Sequence, residues 1–303
     1  MSFPRGKIGA LHFVVAITAL LSAAGVFVVV MKTGPPPAPV MVHLSYNFSV
    51  HNPSNQAIRN ASIQVGCPAS ETAFQQRLHI RSDHSYQVIP RDPQGFATED
   101  ALLFEWEIFP PFATKIVTIR SALNLWETPR KPAQRDLSTY LQPEPFIESD
   151  HPRIIAQAAV LAAPKPLQTI ENIFDWVSKQ IDDIGYVRQA RGALYAIDHQ
   201  QGDCTEFACL FVALCRASAI PARVVGGFVC PRNTVLDLGD YHNWAEFFHK
   251  GRWHVADPQR RRLMREQQTY VAFDHWHAAG KAHDKPLVAV IAGDPLVIRA
   301  SRQ

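Results

Sequence analysis

The sequence predicts an α+β fold, and three observations predict it. From Met41 to about Arg120 apolar and polar residues alternate with period two. After a proline-rich stretch the apolar spacing changes to three and four, the period of an amphipathic helix. Short apolar runs bounded by turn residues then follow, which is the pattern of antiparallel strands.

The elements can be taken in order. Ile8 to Met31 carries no formal charge. At about 1.5 Å per residue this run is about 36 Å long, against a hydrocarbon core of about 30 Å. Residues 1–32 are therefore expected to be a cytoplasmic N-terminus and a transmembrane anchor. Arg5 and Lys7 precede the run, so the body of the protein is expected on the far, extracytoplasmic side. A cleaved signal peptide would end near Ser22-Ala23-Ala24-Gly25, but Val26 to Met31 continues the apolar run past that point. Residues 33–40 hold four prolines and read as a stiff spacer.

Residues 41–126 read as a small antiparallel β-domain. Leu44, Tyr46, Phe48 and Val50 alternate with polar neighbours, as do Phe104, Trp106 and Ile108. Residues 127–152 contain five prolines and are the expected linker. Residues 153–303 are the expected catalytic domain. Ile170, Ile173, Phe174, Val177 and Ile181 form a helical stripe. A second helix is expected from Cys204 to Ala217, ended by Ala219-Ile220-Pro221. Ala222 to Val229 reads as a strand, and Asn243 to Ala256 as a hairpin turning at Lys250-Gly251.

The net charge of +3 is too small to argue for nucleic acid, and Arg260-Arg261-Arg262 reads as a solvated turn. Five cysteines are an odd number, so at least one thiol is left over in an oxidising compartment. Cys204, Cys209 and Cys215 share one helix at spacings too long for a bridge, while Cys67 and Cys230 could pair. His275, His277 and His283 near Asp274 fit no common ligand spacing, so neither a metal nor a cofactor is expected.

The chemistry concentrates in three short blocks. Gly202-Asp203-Cys204-Thr205-Glu206 opens a helix with an Asp-x-x-Glu capping box. Cys204 then occupies the first helical position, where unpaired N–H groups and the positive end of the helix favour a thiolate and can receive an oxyanion. Gly202 permits a close approach. His242 shares one strand face with Trp244, Glu246 and Phe248. With an even hairpin loop, paired residues sum to 501, which sets Asp257 diagonal to His242 on that face. Cys204, His242 and Asp257 are thus the candidate nucleophile, base and orienting carboxylate.

These blocks carry a family resemblance. Gly-Asp-Cys-Thr-Glu-Phe-Ala, Ala-Ile-Pro-Ala-Arg-Val-Val-Gly-Gly-Phe, His-x-Trp-Ala-Glu and Trp-x-x-x-Asp-Pro resemble the transglutaminase-like superfamily over roughly Pro166 to Tyr270. The resemblance implies a papain-like core, with Cys204 as nucleophile, His242 as general base and acid, and Asp257 as orienting residue. It implies acyl transfer through a thioester on a peptide or protein substrate, either hydrolysis or glutamine–lysine crosslinking. A non-catalytic peptide- or glycan-binding module is the alternative of another class. Asn243 stands where alanine is frequent in the family, and Tyr186 is a candidate oxyanion donor, though a core position would suit it better.

Overall fold

The structure is a computed structural model that describes residues 38–90, 100–131, 136–276 and 287–300. The expected membrane anchor and most of the proline spacer lie outside the described residues. None of the described helices is long and apolar enough to cross a membrane.

The period-two segment folds as six strands: β1 (Val40–His51), β2 (Ile58–Gly66), β3 (Gln75–Ser82), β4 (Gln87–Pro90), β5 (Asp100–Phe109) and β6 (Thr114–Leu125). On β1 the even residues Val42 to Val50 are buried and the odd ones face outward, as the alternation requires. Four helices follow: α1 (Pro152–Leu161), α2 (Pro166–Gln180), α3 (Gly192–His199) and α4 (Cys204–Ala217). Prolines open α1 and α2, where their missing N–H costs no hydrogen bond. Two short strands, β7 (Asp182–Asp183) and β8 (Gln201–Gly202), pair in parallel just before α4. After α4 come β9 (Ala222–Val229), β10 (Thr234–Val235), β11 (His242–His249), β12 (Arg252–Asp257), β13 (Arg262–Leu263), β14 (Tyr270–His275), β15 (Val288–Ala292) and β16 (Val297–Ala300).

Two sheets face each other across the first core. One runs β10-β1-β6-β3, with β16 also on β1; the other runs β15-β2-β5-β4. Tyr46, Phe48, Ile63, Phe104 and Ile119 fill the space between them. A third sheet, β13-β12-β11-β9-β14, lies against the helices. α4 is buried along nearly its whole length, because it touches this sheet on one side and α1, α2 and α3 on the others. Phe211 of α4 meets Phe247 of β11 with ring centres 6.2 Å apart.

Two expectations about domain organisation change. β15 pairs with β2 and β16 with β1, so the last strands of the expected 153–303 domain complete the N-terminal sheets. Phe228, Val271 and Phe273 join the same core, and the described residues form one compact unit. The short apolar runs of β15 and β16 could mark them as strands but could not name their partners. The expected linker is also no loose tether. Tyr140 and Ile147 are buried, Tyr140 packs on Trp253 at 4.9 Å, and Arg216 of α4 pairs with Glu144 at 2.6 Å. Its described part turns through a 3-10 helix at Ser138–Leu141 and a bridge between Glu144 and Ile147, and its few buried apolar side chains strap it to the catalytic body.

Candidate active site

α4 begins as its sequence requires. Asp203 Oδ1 accepts the Thr205 N–H at 2.8 Å, and Glu206 Oε2 accepts the Asp203 N–H at 3.0 Å. Both halves of the capping box are therefore made. The same two carboxylates reach outward: Asp203 Oδ2 accepts the Val187 N–H, and Glu206 Oε1 the Arg191 N–H. They anchor the 184–191 loop to the helix start. Gly202 makes room for this, since a Cβ there would stand 2.3 Å from the Glu206 Cβ. The close approach expected at Gly202 is thus made by Glu206 folding back.

The hairpin has the expected register. Ala245 opposes Ala256 and His249 opposes Arg252, so pairs sum to 501, with Lys250 and Gly251 both at positive φ in the turn. That brings His242 and Asp257 together. The His242 Nε2–H donates to Asp257 Oδ2 at 2.7 Å, with both side chains buried. Asp257 is held on two further sides. Tyr270 donates its hydroxyl proton to the same Oδ2 at 2.9 Å, and the Arg260 N–H reaches Oδ1 at 3.1 Å. The carboxylate therefore fixes the imidazole with Nε2 engaged, which leaves Nδ1 as its second nitrogen.

Cys204 sits at the first position of α4 and is partly exposed. Asn243, the residue after His242, donates its side-chain N–H to Thr205 Oγ1 at 3.0 Å, tying the start of β11 to the start of α4. The Asn243 backbone and the Thr205 hydroxyl, as donors, act to lower the thiol's pKa. Burial nevertheless pushes the thiol up to about 12, and the Asp203 and Asp257 carboxylates push the same way against those two donors. The expectation of a thiolate favoured by the helix end is corrected here. Desolvation and two nearby negative charges outweigh the N–H groups.

Tyr186 is also corrected. It is 86 % exposed and not a core side chain, because the 184–191 loop is held by its backbone and not by that ring. His277 and His283 lie outside the described residues. None of the five cysteines is bridged to another; Cys67 instead donates to the Asp100 carbonyl and accepts from Arg77. Tyr270 and the Asn243–Thr205 link were not found from sequence. The first depends on β14 crossing to the far side of β9, a long-range pairing with no local signal. The second had one signal, the asparagine standing where the family often has alanine.

A partly exposed thiol at a helix start is thus tied, through Thr205 and Asn243, to the strand that carries a buried, carboxylate-anchored imidazole. Residues 153–258 match the family model described as the transglutaminase-like superfamily, and that segment is a transglutaminase-like core. No curated protein matches the chain significantly. Among solved structures, a candidate cysteine protease from Cytophaga hutchinsonii is similar at 17% identity and a TM-score of 0.56, covering 86% of this chain and 92% of its own. The periplasmic domain of TgpA from Pseudomonas aeruginosa is similar at 16% identity and a TM-score of 0.37, covering 71% of this chain and 88% of its own. At this identity the first likeness is one of fold, and the second, looser superposition adds nothing to it.

Proposed function

We propose that the chain is a membrane-anchored cysteine enzyme, with its body outside the cytosol, that opens peptide or carboxamide bonds through a thioester. The observation that carries this reading is the 2.7 Å bond from His242 to Asp257, set at the start of a strand that Asn243 ties to the helix bearing Cys204. Placement outside the cytosol rests on the apolar run 8–31 with Arg5 and Lys7 before it.

In the proposed reaction His242 Nδ1 takes the thiol proton as Cys204 Sγ attacks the carbonyl carbon. The oxyanion that forms meets the N–H groups at the start of α4. His242 then gives the proton to the leaving nitrogen, the C–N bond breaks, and a thioester remains. Water, deprotonated by His242, releases a carboxylic acid and restores the thiol. An amine in place of water would give crosslinking, since the acceptor is chosen by the surrounding cleft and not by the three reacting groups. Because the thiol is pushed up, it rests protonated, and proton transfer accompanies attack.

The raised thiol also favours one other reading, a module that holds peptides without cleaving them. Both readings meet the same test. The full chain in detergent is incubated with a library of short acetylated peptides, and products are read by mass spectrometry. New termini or exchanged amides that vanish in Cys204→Ala support the enzyme. Products that persist in Cys204→Ala contradict it, and peptide binding without any product supports the module.

A further inference from the structure

The outer face of the sheet β10-β1-β6-β3 carries a cleft of about 600 Å³, well away in sequence from Cys204. That volume lies in the range of small-ligand sites. Apolar surface that includes Leu44 and Val235 lines part of it, and His43, His79, Arg81, Arg120, Asn233 and Thr234 supply polar and cationic groups. The strand register explains the charge. Arg120 on β6 is the direct partner of Arg81 on β3 and of Ser45 on β1. Directly opposed residues lie about 4.5–5.5 Å apart at Cα, and like charges there destabilise a sheet. Among the described residues neither arginine has an ion-pair partner. Asp83 also lines the cleft, but its Oδ1 accepts the Thr118 N–H at 2.9 Å and it forms no ion pair with either guanidinium among the described residues. Two arginines against one aspartate leave the cleft positive before either histidine is counted.

We propose that this cleft binds an oxyanion, a carboxylate or a phosphate, carried on a small polar ligand. A bidentate oxyanion resolves the opposed guanidinium pair, which is the geometry arginine is suited to bridge. Asn233 and Thr234 form the wall on the β10 side. Asn233 Oδ1 accepts the His43 N–H at 2.9 Å, and β10 lies parallel on β1. β10 belongs to the connection that ends at His242, so an occupied cleft would brace the segment entering the candidate active site. The binding itself does not depend on thiol chemistry.

Calorimetric titration of the full chain in detergent tests this, with inorganic phosphate in one arm and a Glu-Glu dipeptide in the other. Saturable binding in either arm is expected, and the tighter arm identifies the source of the oxyanion. The double variant Arg81→Gln/Arg120→Gln is expected to weaken it by at least about tenfold, as the loss of two charge-assisted contacts implies. Arg59→Gln, exposed on the other sheet, and Cys204→Ala are expected to bind like the wild type. Should the double variant fold poorly in a thermal melt, Arg120→Lys alone keeps the charge, loses the fork and is expected to bind several-fold more weakly. No saturable binding by the wild type in either arm, or unchanged binding in the arginine variants, overturns the proposal.

Discussion

Strand β11 carries two buried polar pairs on one face, and they differ in surroundings. His242 and Glu246 are four residues apart with Trp244 between them. His242 bonds Asp257 at 2.7 Å; Glu246 holds Arg223 with bonds of 2.6 and 2.9 Å. By burial and pairing alone the two look equivalent. The Arg223 guanidinium, however, is covered by Trp253 at 4.2 Å, with Tyr140 beyond. Burial works against its charge, and Glu246 and Tyr140 together hold it protonated. The His242 pair instead lies at the start of the strand that Asn243 ties to the helix bearing Cys204. Burial of a polar pair therefore marks cost, and the link from its strand to the cysteine-bearing helix is what marks the candidate site.

The sharpest way to break this comparison is to neutralise each carboxylate in turn. Asp257→Asn should lower kcat by roughly 10³–10⁴-fold while the chain stays folded, because an amide no longer holds the imidazole in the required tautomer or stabilises its protonated form. Glu246→Gln should leave the activity of the folded fraction nearly unchanged and cost roughly 3–5 kcal/mol of stability, the usual result of stranding one buried charge. Steady-state kinetics and urea unfolding on both variants separate the two roles. Equal kinetic damage from the two changes would erase the distinction.

A second contrast is set by pH. Burial, with Arg223 adding to it and Glu246 opposing it, depresses His275 from its ordinary value to about 3. Below pH 6.5 the unfolded chain then binds a proton that the folded chain refuses. Stability from this group is full above pH 6.5 and is lost as pH falls toward 3. Unfolding at pH 7, 5.5 and 4 should show this decline, and His275→Gln should flatten it. An unchanged slope in that variant would remove His275 from the account.

The smallest effect is expected at Tyr270. Tyr270→Phe removes the hydroxyl that shares Asp257 Oδ2 with His242, a bond to a charged group worth about 1.5–3 kcal/mol. kcat should fall about tenfold with little change in KM, and the pH dependence of kcat should shift. A change confined to stability would make Tyr270 a packing residue.

Much of this was legible in the sequence because it is local. The capping box before Cys204, the period-two strands and the two-residue turn at Lys250-Gly251 are set by neighbours within a few positions. The turn then fixed the register that brings Asp257 to His242. What could not be read depends on distant pairing. β16 returning to β1 and Tyr270 reaching Asp257 join segments whose own patterns name no partner. The state of the thiol was misread for a related reason. The helix end acts locally and is visible, whereas the burial that overrides it comes from the assembled fold.

Alkylation of Cys204 by iodoacetamide as a function of pH, in the wild type and in His242→Ala, goes to the centre of the account. If His242 withdraws the thiol proton, wild-type labelling at Cys204 proceeds at neutral pH and collapses in the variant, whose thiol stays protonated far into the alkaline range. Equal labelling rates in the two proteins, or label arriving at a cysteine other than Cys204, would contradict it.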